Sequence, residues 1–298
     1  MVNSRLLDYL SSNCIKYISP IKTADLVSFR VGNIGKIAVF PKNIQELCEI
    51  LSIVKNEKFV VIGNGTNCYF TDNLYDGVII VTTKINDVSY LNDGVVAECG
   101  ASINTVCKVA CANSLEGLEF AYGIPGTVGG CVRMNASAFG GCMADVVLSS
   151  TVLDVKSGEI YDLCREEHFF DKKSSIFKNS SLVLLNTKFS LPLGDKMEIK
   201  SKMDLNFQKR KDSQPLDFHS AGCVFVKPKD SYASYLIDKA GLKGFSVGNA
   251  QVSTKHAGFI VNRGNALSKD VNELILHIKK TVFDMFSVEL EKEIIYLE

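Results

Sequence analysis

Residues 123–141, GIPGTVGGCVRMNASAFGG, decide the fold because they combine six glycines with large apolar residues. Glycine is used where the backbone takes a positive φ or approaches a ligand closely, and neighbouring N–H groups then form concave sites that suit a pyrophosphate. A glycine-rich surface linker would be polar, whereas this segment interleaves Ile124, Val128, Val132, Met134 and Phe139. We therefore predict a buried cofactor cradle here rather than a flexible linker.

The composition predicts a globular protein with a substantial core. The chain has 298 residues, of which 46% are hydrophobic and 22% charged, so two or three domains are expected. Lys plus Arg and Asp plus Glu both total 33, so no net charge favours nucleic acid or an anionic membrane surface. The sequence shows neither a signal-peptide pattern nor the roughly 20 apolar residues of a membrane span. We therefore expect a cytoplasmic protein without nucleic-acid or membrane partners.

The ten cysteines follow no paired or repeated spacing. Most lie among apolar residues, as Cys48 and Cys131 do, which is typical of reduced core thiols in a cytosolic protein. Cys107 and Cys111 are four residues apart, but a metal site needs more ligands than this pair and none converge in sequence. We therefore predict no metal site.

A second glycine turn, GNGTN at residues 63–67, follows a strand–helix–strand pattern. Residues 37–40 predict a strand, and Asn43 then caps a helix in which Glu46 completes a capping box. The next strand, at 59–62, runs straight into the glycines, so a βαβ-like unit presents the backbone of the turn at a strand end. No helical pattern follows, so the turn is not a Rossmann fingerprint.

Further elements alternate along the remaining chain. A turn signal at 192–194 and the charged run after it predict a domain boundary. Strands are predicted at 77–82, 95–99, 146–155 and 182–191, and helices at 102–113, at 232–240 and from 268 onwards.

The order of motifs resembles the MurB family of UDP-N-acetylenolpyruvoylglucosamine reductases, and the form of RKDSQPL resembles its type II branch. The two glycine loops, GNGTN and GIPGTVGG, resemble the flavin-binding fold shared by vanillyl-alcohol oxidases and MurB-type reductases. The resemblance covers nearly the whole chain. Its other motifs are SFRVG at 28–32, RKDSQP at 210–215, SAGCVF at 220–225, GNAQVSTKHAGFIVN at 248–262 and LEKE at 290–293.

The resemblance implies an α+β protein, with an FAD-binding fold of two α/β subdomains at 1–80 and 81–197 and a C-terminal α+β substrate domain at 198–298. It implies FAD as cofactor, NADPH as reductant, a UDP-sugar nucleotide as substrate, and a monomer that acts in peptidoglycan precursor synthesis. The pyrophosphate of FAD would meet Gly63, Asn64, Gly65, Thr66 and Asn67, and the flavin would lie along Gly123, Ile124, Pro125, Gly126, Thr127, Gly129, Gly130 and Ala136.

The implied reaction needs an acid and a cation. Hydride reaches the terminal alkene carbon of an enolpyruvyl group, an enzyme acid protonates the carbon that bears the carboxylate, and donors stabilise the developing enolate. By resemblance Cys223 occupies the position at which the family more often has its proton-donating serine, and a thiol is intrinsically the stronger acid. Glu293 matches the second carboxylate of the family's L-E-x-E pattern, and alternation along a strand separates it from Leu290.

One departure from the family lies in FFDKKSSIFK at 169–178, where the family has Tyr-Arg. Lys172 replaces the tyrosine, and Lys173 replaces the arginine that grips the substrate carboxylate; lysine keeps the charge but loses the planar fork. Either lysine taken alone is equally typical of a solvated surface. Lys227 and Gln251 fall where the family places substrate contacts, whereas His256 is predicted to be structural.

Two hypotheses compete with an active NADPH-dependent reductase. The altered lysine pair and Cys223 also fit a MurB-like flavin-binding protein that has lost or changed its activity and serves a regulatory or binding role. A flavin oxidase of the broader fold fits less well, because the third-domain motifs resemble the reductase and neither glycine loop carries a histidine for covalent flavin.

Overall fold

A computed structural model of the chain describes residues 3–298. Within this range both helices and strands occur throughout, as the α+β expectation requires. The α-helices are α1 (Ser4–Ser12), α2 (Ile44–Val54), α3 (Ile103–Ala112), α4 (Val128–Arg133), α5 (Met143–Val146), α6 (Lys196–Ser213), α7 (Ala233–Lys239) and α8 (Ser268–Phe286). The strands are β1 (Lys16–Ile18), β2 (Ile21–Lys22), β3 (Ile34–Phe40), β4 (Phe59–Ile62), β5 (Cys68–Phe70), β6 (Tyr75–Val81), β7 (Val88–Leu91), β8 (Gly94–Glu98), β9 (Ser137–Ala138), β10 (Gly141–Cys142), β11 (Val147–Asp154), β12 (Ile160–Cys164), β13 (Leu182–Ser190), β14 (His219–Cys223), β15 (Ser246–Val247), β16 (Ala250–Val252), β17 (Phe259–Asn262) and β18 (Ile295–Leu297).

The chain divides into two compact units, each built from separate segments. The first contains the described residues up to 19, Ile37–Asn64 and Gly77–Lys209; the second contains Pro20–Lys36, Gly65–Asp76 and Arg210–Glu298. The division falls inside the GNGTN turn, between Asn64 and Gly65. The expected three domains, 1–80, 81–197 and 198–298, remain a prediction.

The first unit is built on two sheets and one continuous apolar core. One sheet has the order β1-β3-β6-β4, and β4 and β6 run parallel. The other is antiparallel, with the order β12-β11-β13-β8-β7. Helix α2 forms as predicted: the Asn43 carboxamide accepts the Glu46 N–H at 2.8 Å, and its apolar face is buried. The Glu46 carboxylate returns to the N–H of Lys42 rather than to that of Asn43.

The second unit packs α7 and α8 against an antiparallel sheet of order β14-β17-β16-β15. Helix α8 buries the residues predicted from its spacing, among them Leu274 and Ile278, so a single stripe faces the core. The Asp72 carboxylate accepts the N–H groups of Ser268 and Lys269 at 2.7 and 3.1 Å, which caps this helix. A parallel pair, β5 and β18, completes the unit.

Helix α6 is the largest element that the sequence interpretation missed. Its charged sequence predicts a boundary region, yet residues 196–213 form one helix. Only Ile199, Met203 and Arg210 of this helix are buried, at intervals of four and seven residues. So sparse an apolar face gives almost no periodic signal, although it is enough to hold the helix against a core.

The described residues contain no disulfide; Cys131 and Cys107 lie in the core, as expected, whereas Cys14 and Cys164 are exposed. No helix among residues 3–298 is long and apolar enough to cross a membrane. Within the same range no group of His, Cys, Asp and Glu is arranged to hold a metal ion.

Candidate functional site

The two predicted glycine loops meet in the first unit. Asn64 donates its side-chain N–H to the Pro125 carbonyl at 2.8 Å. A Cβ atom added at Gly63 would overlap the Thr127 hydroxyl and would lie 2.8 Å from Thr127 Cγ2. Thr127 in turn caps α4 by accepting the Gly130 N–H at 3.4 Å. Because no larger residue fits at position 63, the contact itself explains why this loop begins with glycine.

The start of the long glycine segment is held from α3. Gly123 has a φ of 86°, and its N–H donates to the Asn104 carboxamide oxygen at 2.6 Å. The Asn104 carboxamide nitrogen donates to the Ile124 carbonyl at 2.8 Å, so one side chain fixes two successive peptides. Asn104 was missed by the sequence interpretation, since one asparagine in an apolar helix gives no motif.

The centre of the segment packs backbone against backbone. The N–H groups of Val128 and Gly129 donate to the carbonyls of Ala101 and Cys99, both at 2.8 Å. A Cβ atom at Gly129 would lie 3.1 Å from the Cys99 carbonyl oxygen, tighter than ordinary contacts. These two N–H groups are therefore used inside the fold, and a ligand would meet other backbone groups of the loop.

The end of the cradle turns back through Asn135, which is buried and has a φ of 41°. Ala136 donates its N–H to the Cys131 carbonyl at 2.8 Å and accepts the Met143 N–H at 3.1 Å. Ala136 is half-buried, while Gly130 is exposed. The segment from 123 to 136 thus forms a fixed wall rather than a mobile loop.

Lys173 lies in the same unit as this wall. Lys172 and Lys173 differ in how far their side chains are exposed. Lys172 is exposed, whereas Lys173 is half-buried with a φ of 52°. Burial raises the pKa of the Cys131 thiol to about 12, and the charge of Lys173 opposes that rise. Lys173 therefore acts electrostatically on a residue of α4, inside the predicted cradle.

In the second unit the remaining residues of the GNGTN turn are fixed by backbone contacts. Gly65 has a φ of 59°, and an added Cβ atom there would overlap the Leu26 carbonyl oxygen. Ser28 donates its N–H to the Gly65 carbonyl at 3.1 Å and its hydroxyl to the Ser220 carbonyl at 2.7 Å. The SFRVG motif thus supports both the glycine turn and the strand that leads to Cys223. Thr66, the next residue, is half-buried.

Cys223 and Glu293 are brought together in the second unit. Cys223 ends β14 and pairs with Phe259 of β17. The residue after it, Val224, accepts the Glu293 N–H at 2.8 Å. The Glu293 carbonyl accepts the Asn67 side-chain N–H at 3.3 Å, so the GNGTN turn and the glutamate are also linked. Both predicted proton-handling residues therefore lie on adjoining stretches of backbone.

The expected strand around Glu293 is shorter than predicted. Regular pairing begins only at Ile295, and residues 289–294 are irregular apart from one bridge, between Lys292 and Phe225. Leu290 is 1% exposed, and Glu293 is half-buried. Glu291 is exposed, which separates the two carboxylates of the LEKE motif.

A buried cation lies near Cys223. Arg210 is 7% exposed; burial lowers the pKa of its guanidinium, and the negative charge of a Cys223 thiolate acts in the opposite direction. Arg210 also donates to the Gln214 carboxamide oxygen at 3.4 Å. A cation beside the thiol stabilises the thiolate that remains once its proton has been given away.

Gln251 borders a small cavity of about 60 Å³ in the second unit. Arg263 donates to the Gln251 carboxamide oxygen at 3.2 Å and lies 5.5 Å from the centre of the Phe218 ring. Lys255 also lines this cavity. Lys227 is exposed, with its ammonium 4.3 Å from the Tyr232 ring centre, so it does not share the Gln251 cavity.

His256 accepts the Gly258 N–H on Nδ1 at 3.1 Å, and burial lowers the pKa of its imidazole. These contacts agree with the structural role that the sequence predicted. Arg263 and Phe218 were missed, because an exposed arginine and phenylalanine carry no signal until the strands bring them together.

The residues present fit a bound FAD. The backbone approaches closely, without Cβ atoms, at Gly63 and Gly65, where a larger side chain would overlap neighbouring atoms. The space that these Cβ atoms would take is filled by Thr127 and Leu26, so the fit rests on the tight turn itself, whose successive N–H groups can form a concave anion site. The wall at 123–136 adds the apolar, rigid surface that a flat ring system needs.

Comparisons with known proteins give the same assignment. Residues 35–163 match the family model of the FAD binding domain, and residues 214–297 match that of the UDP-N-acetylenolpyruvoylglucosamine reductase C-terminal domain. The UDP-N-acetylenolpyruvoylglucosamine reductase of Caldicellulosiruptor saccharolyticus is 41% identical over 287 residues, which cover 95% of this chain and 92% of that protein.

Solved structures agree with these matches. The crystal structure of UDP-N-acetylenolpyruvylglucosamine reductase (MurB) from Thermus caldophilus superposes with a TM-score of 0.80 at 29% identity, over 95% of this chain and 99% of that one. Berberine bridge enzyme from Eschscholzia californica gives a TM-score of 0.51 at 15% identity, over 64% of this chain and 44% of that one, a likeness of fold alone. The family and the FAD-binding fold predicted from the motifs are confirmed.

Proposed function

This chain belongs to the UDP-N-acetylenolpyruvoylglucosamine reductase family, and we propose that the residues described above carry the activity of that family. The chain is an FAD-dependent oxidoreductase that uses NADPH to reduce UDP-N-acetylglucosamine enolpyruvate to UDP-N-acetylmuramate, a step of peptidoglycan precursor synthesis. A bound FAD would supply the hydride-transfer chemistry between NADPH and the alkene carbon of the substrate. The observation that carries the proposal is the shared backbone framework of Cys223 and Glu293.

Cys223 is proposed as the proton donor. The carbon next to the carboxylate must be protonated after hydride arrives, and a thiol gives up its proton more readily than a serine hydroxyl. The buried guanidinium of Arg210 then stabilises the thiolate. The backbone of the thiol is set by strand pairing to Phe259, so its position does not depend on a mobile loop.

Glu293 is proposed to assist protonation from the adjoining chain. Its backbone N–H is fixed by Val224, and its side chain is half-buried, unlike that of Glu291. A half-buried carboxylate beside an acid can hold or return a proton without full solvation. Lys173 is proposed to attract the substrate carboxylate as a point charge, which lysine provides without the two-pronged geometry of arginine.

FAD contacts are proposed for both glycine loops. Gly63, Asn64, Gly65, Thr66 and Asn67 would meet the pyrophosphate, and the cradle residues at 123–127, 129–130 and 136 would meet the flavin. Gln251 is proposed to contact the sugar nucleotide, and it is supported by the positive charge of Arg263 beside it. Lys227 is proposed as a diphosphate contact by resemblance. We also propose that the protein is cytoplasmic and monomeric.

Anaerobic mixing tests the function directly. Purified protein is mixed with NADPH, and the flavin absorbance should bleach; the enolpyruvyl nucleotide is then added, and the absorbance should return. Bleaching without recovery would show a flavin-binding protein that has lost the reductase step. Recovery with oxygen alone, and none with substrate, would point to an oxidase instead.

A further inference from the structure

A buried histidine lies directly before the segment that carries Lys173. His168 is 0% exposed. Its Nδ1 is 2.8 Å from the Cys164 carbonyl oxygen, and its Nε2 is 2.9 Å from the Ser150 hydroxyl. A carbonyl oxygen only accepts, so Nδ1 carries the proton and Nε2 accepts from the Ser150 hydroxyl. Burial lowers the pKa of the imidazole, which agrees with a neutral ring.

The His168 ring is the last member of a series of buried hydrogen bonds that begins in the sheet, on β13 and β11. Ser150, on β11, lies 3.0 Å by its hydroxyl from that of Thr187 on β13. The ring also stacks on Phe170, at 5.0 Å between centres and 12° between planes, and meets the edge of Phe177 at 6.1 Å. Two aromatic residues of the Lys173 segment therefore pack on the histidine, which the sheet itself orients.

The Lys173 segment, residues 169–178, begins directly after His168 and folds back to contact it. The Ile176 N–H donates to the His168 carbonyl at 2.7 Å, and Asp171 and Ser174 exchange backbone hydrogen bonds at 3.0 and 3.3 Å. Lys173 lies at the tip of this tight turn with a φ of 52°, a conformation that lysine adopts reluctantly. Contacts outside the turn must therefore hold it in place.

A second set of bonds ties the same turn to the cofactor wall. Asn135 donates its side-chain N–H to the Asp171 carbonyl at 3.0 Å, and Arg133 donates to the Phe177 carbonyl at 2.7 Å. The Ser175 hydroxyl donates to the Arg133 carbonyl at 2.8 Å. The turn is thus held from the wall on one side and from His168 on the other.

We propose that His168 is a positioning residue for the reductive step: its ring, fixed by Ser150 and the Cys164 carbonyl, sets the turn that places Lys173. The role rests on the proposed function, since it acts through the cation assigned to the substrate carboxylate. His168 touches neither substrate nor cofactor in this scheme. A neutral hydrogen-bonded ring is needed because an aliphatic residue of equal bulk would remove the bonds to the Cys164 carbonyl and to the Ser150 hydroxyl, and the Ser150 hydroxyl would keep only its contact with Thr187.

The test compares His168→Leu, which removes both ring hydrogen bonds, with His168→Asn, whose amide can replace the Nδ1 donor. We expect His168→Leu to slow flavin oxidation by substrate about 10- to 100-fold, the scale of a misplacement near 1 Å. Flavin reduction by NADPH should change less than about twofold, because it does not use Lys173. His168→Asn should recover part of the lost rate.

A double-mutant cycle with Lys173→Met separates positioning from general damage. If His168 acts through Lys173, His168→Leu should add little to the loss already caused by Lys173→Met. Fully additive losses, or an equal loss of NADPH-driven reduction, would overturn the proposal. Val152→Ala is the matched control. It removes core volume from β11, the strand that carries Ser150, but breaks none of the hydrogen bonds between Thr187, Ser150 and His168. It should therefore lower the melting temperature and leave the substrate step unchanged.

A measurement without turnover completes the test. Backbone hydrogen exchange of residues 169–178 should be faster in His168→Leu than in wild type, since the bond between Ile176 and His168 reports on the turn. Unchanged exchange would overturn the proposal even in an active enzyme. Ser150→Ala, a smaller change, gives the same two readouts if His168→Leu does not fold. A wild type that shows no substrate-driven oxidation, with the exchange result intact, would instead contradict the proposed function.

Discussion

Gly63→Ala should damage the cofactor cradle through one contact. The added methyl would lie 2.8 Å from Thr127 Cγ2 and 3.0 Å from Thr127 Cβ, and it would overlap the hydroxyl. Carbon atoms are in optimal contact at roughly 3.5–4.0 Å, so the threonine must move by about 1 Å. Thr127 is 2% exposed and caps α4, so the movement also weakens the cap.

The expected cost follows from these two effects. Overpacking a core costs about 1–3 kcal/mol, and the loss of an N-cap costs about 1 kcal/mol. The sum, about 2–4 kcal/mol, corresponds to a fall in melting temperature of roughly 3–6 °C for a chain of this size. FAD content after purification should fall as well, because the hydrogen bond from Asn64 to Pro125 joins the same two loops beside the contact of Gly63 with Thr127.

Differential scanning fluorimetry and the flavin-to-protein absorbance ratio measure both quantities. Gly130→Ala is the matched control for the clash, since a methyl there would lie 3.5 Å from the Thr127 hydroxyl, an ordinary contact. Because Gly130 is itself a proposed flavin contact, the two variants are compared by the melting temperature of the FAD-free protein, which Gly130→Ala should leave nearly unchanged. Adding Thr127→Ala to Gly63→Ala should cost less than the sum of the single changes, because it removes the atoms in conflict. A Gly63→Ala protein with wild-type stability and FAD content would refute the reasoning.

Four further outcomes are expected. The protein should purify yellow, and denaturation should release its FAD into the supernatant; flavin that stays with the precipitate would contradict non-covalent binding. Cys223→Ala and Glu293→Gln should each slow flavin oxidation by substrate about 100-fold or more while leaving reduction by NADPH nearly unchanged, and Cys223→Ser should retain substantial activity; equal losses in both half-reactions would instead indicate a packing defect. Lys173→Met should weaken only the substrate step, by about 10- to 100-fold, and Lys173→Arg should preserve or raise that rate, as stopped-flow absorbance will show. Because burial lowers the pKa of His168 from its ordinary value of 6.5, the unfolded chain binds the proton first, so the stability advantage of wild type over His168→Leu should be complete above pH 6.5 and shrink as the pH falls below it in urea titrations; an advantage that grew on acidification would reverse this sign.

The sequence predicted the elements of this fold better than it predicted their contacts. Helix α8 and the strand at Phe59–Ile62 carry strong apolar patterns, and both form as expected. Helix α6 was missed because its few buried residues give no pattern. The two glycine loops were identified separately, but nothing in either loop shows that Gly63 meets Thr127, since the contact depends on how the sheet and α4 are placed.

For the candidate site, too, the sequence predicted the residues better than their environment. Motifs indicated Cys223 and Glu293, and the backbone bond through Val224 explains why these two motifs occur together. By resemblance Lys173 takes the position of the arginine, but the sequence alone does not show which of Lys172 and Lys173 is exposed. Their difference comes from a turn whose register is set by distant residues, so it became visible only in three dimensions.

In the proposed site, the two departures from the family pattern that bear on the reaction replace one functional group by a related one. By resemblance, Cys223 stands where the family more often has a serine, and a thiol and a hydroxyl can both donate a proton; Lys173 stands where the family has an arginine, and both side chains carry a positive charge. By contrast, the glycines at 63 and 65 cannot take a Cβ atom without overlap, so no chemical equivalent exists there. The fold itself requires those glycines, because Thr127 and Leu26 fill the space that a Cβ atom would take, so a folded relative without activity would need them as well. The decision between a working reductase and such a relative therefore falls on Cys223 and Lys173, and the substrate half-reaction of Cys223→Ser and Lys173→Arg measures it: substrate-driven flavin oxidation that persists in both variants supports the reductase.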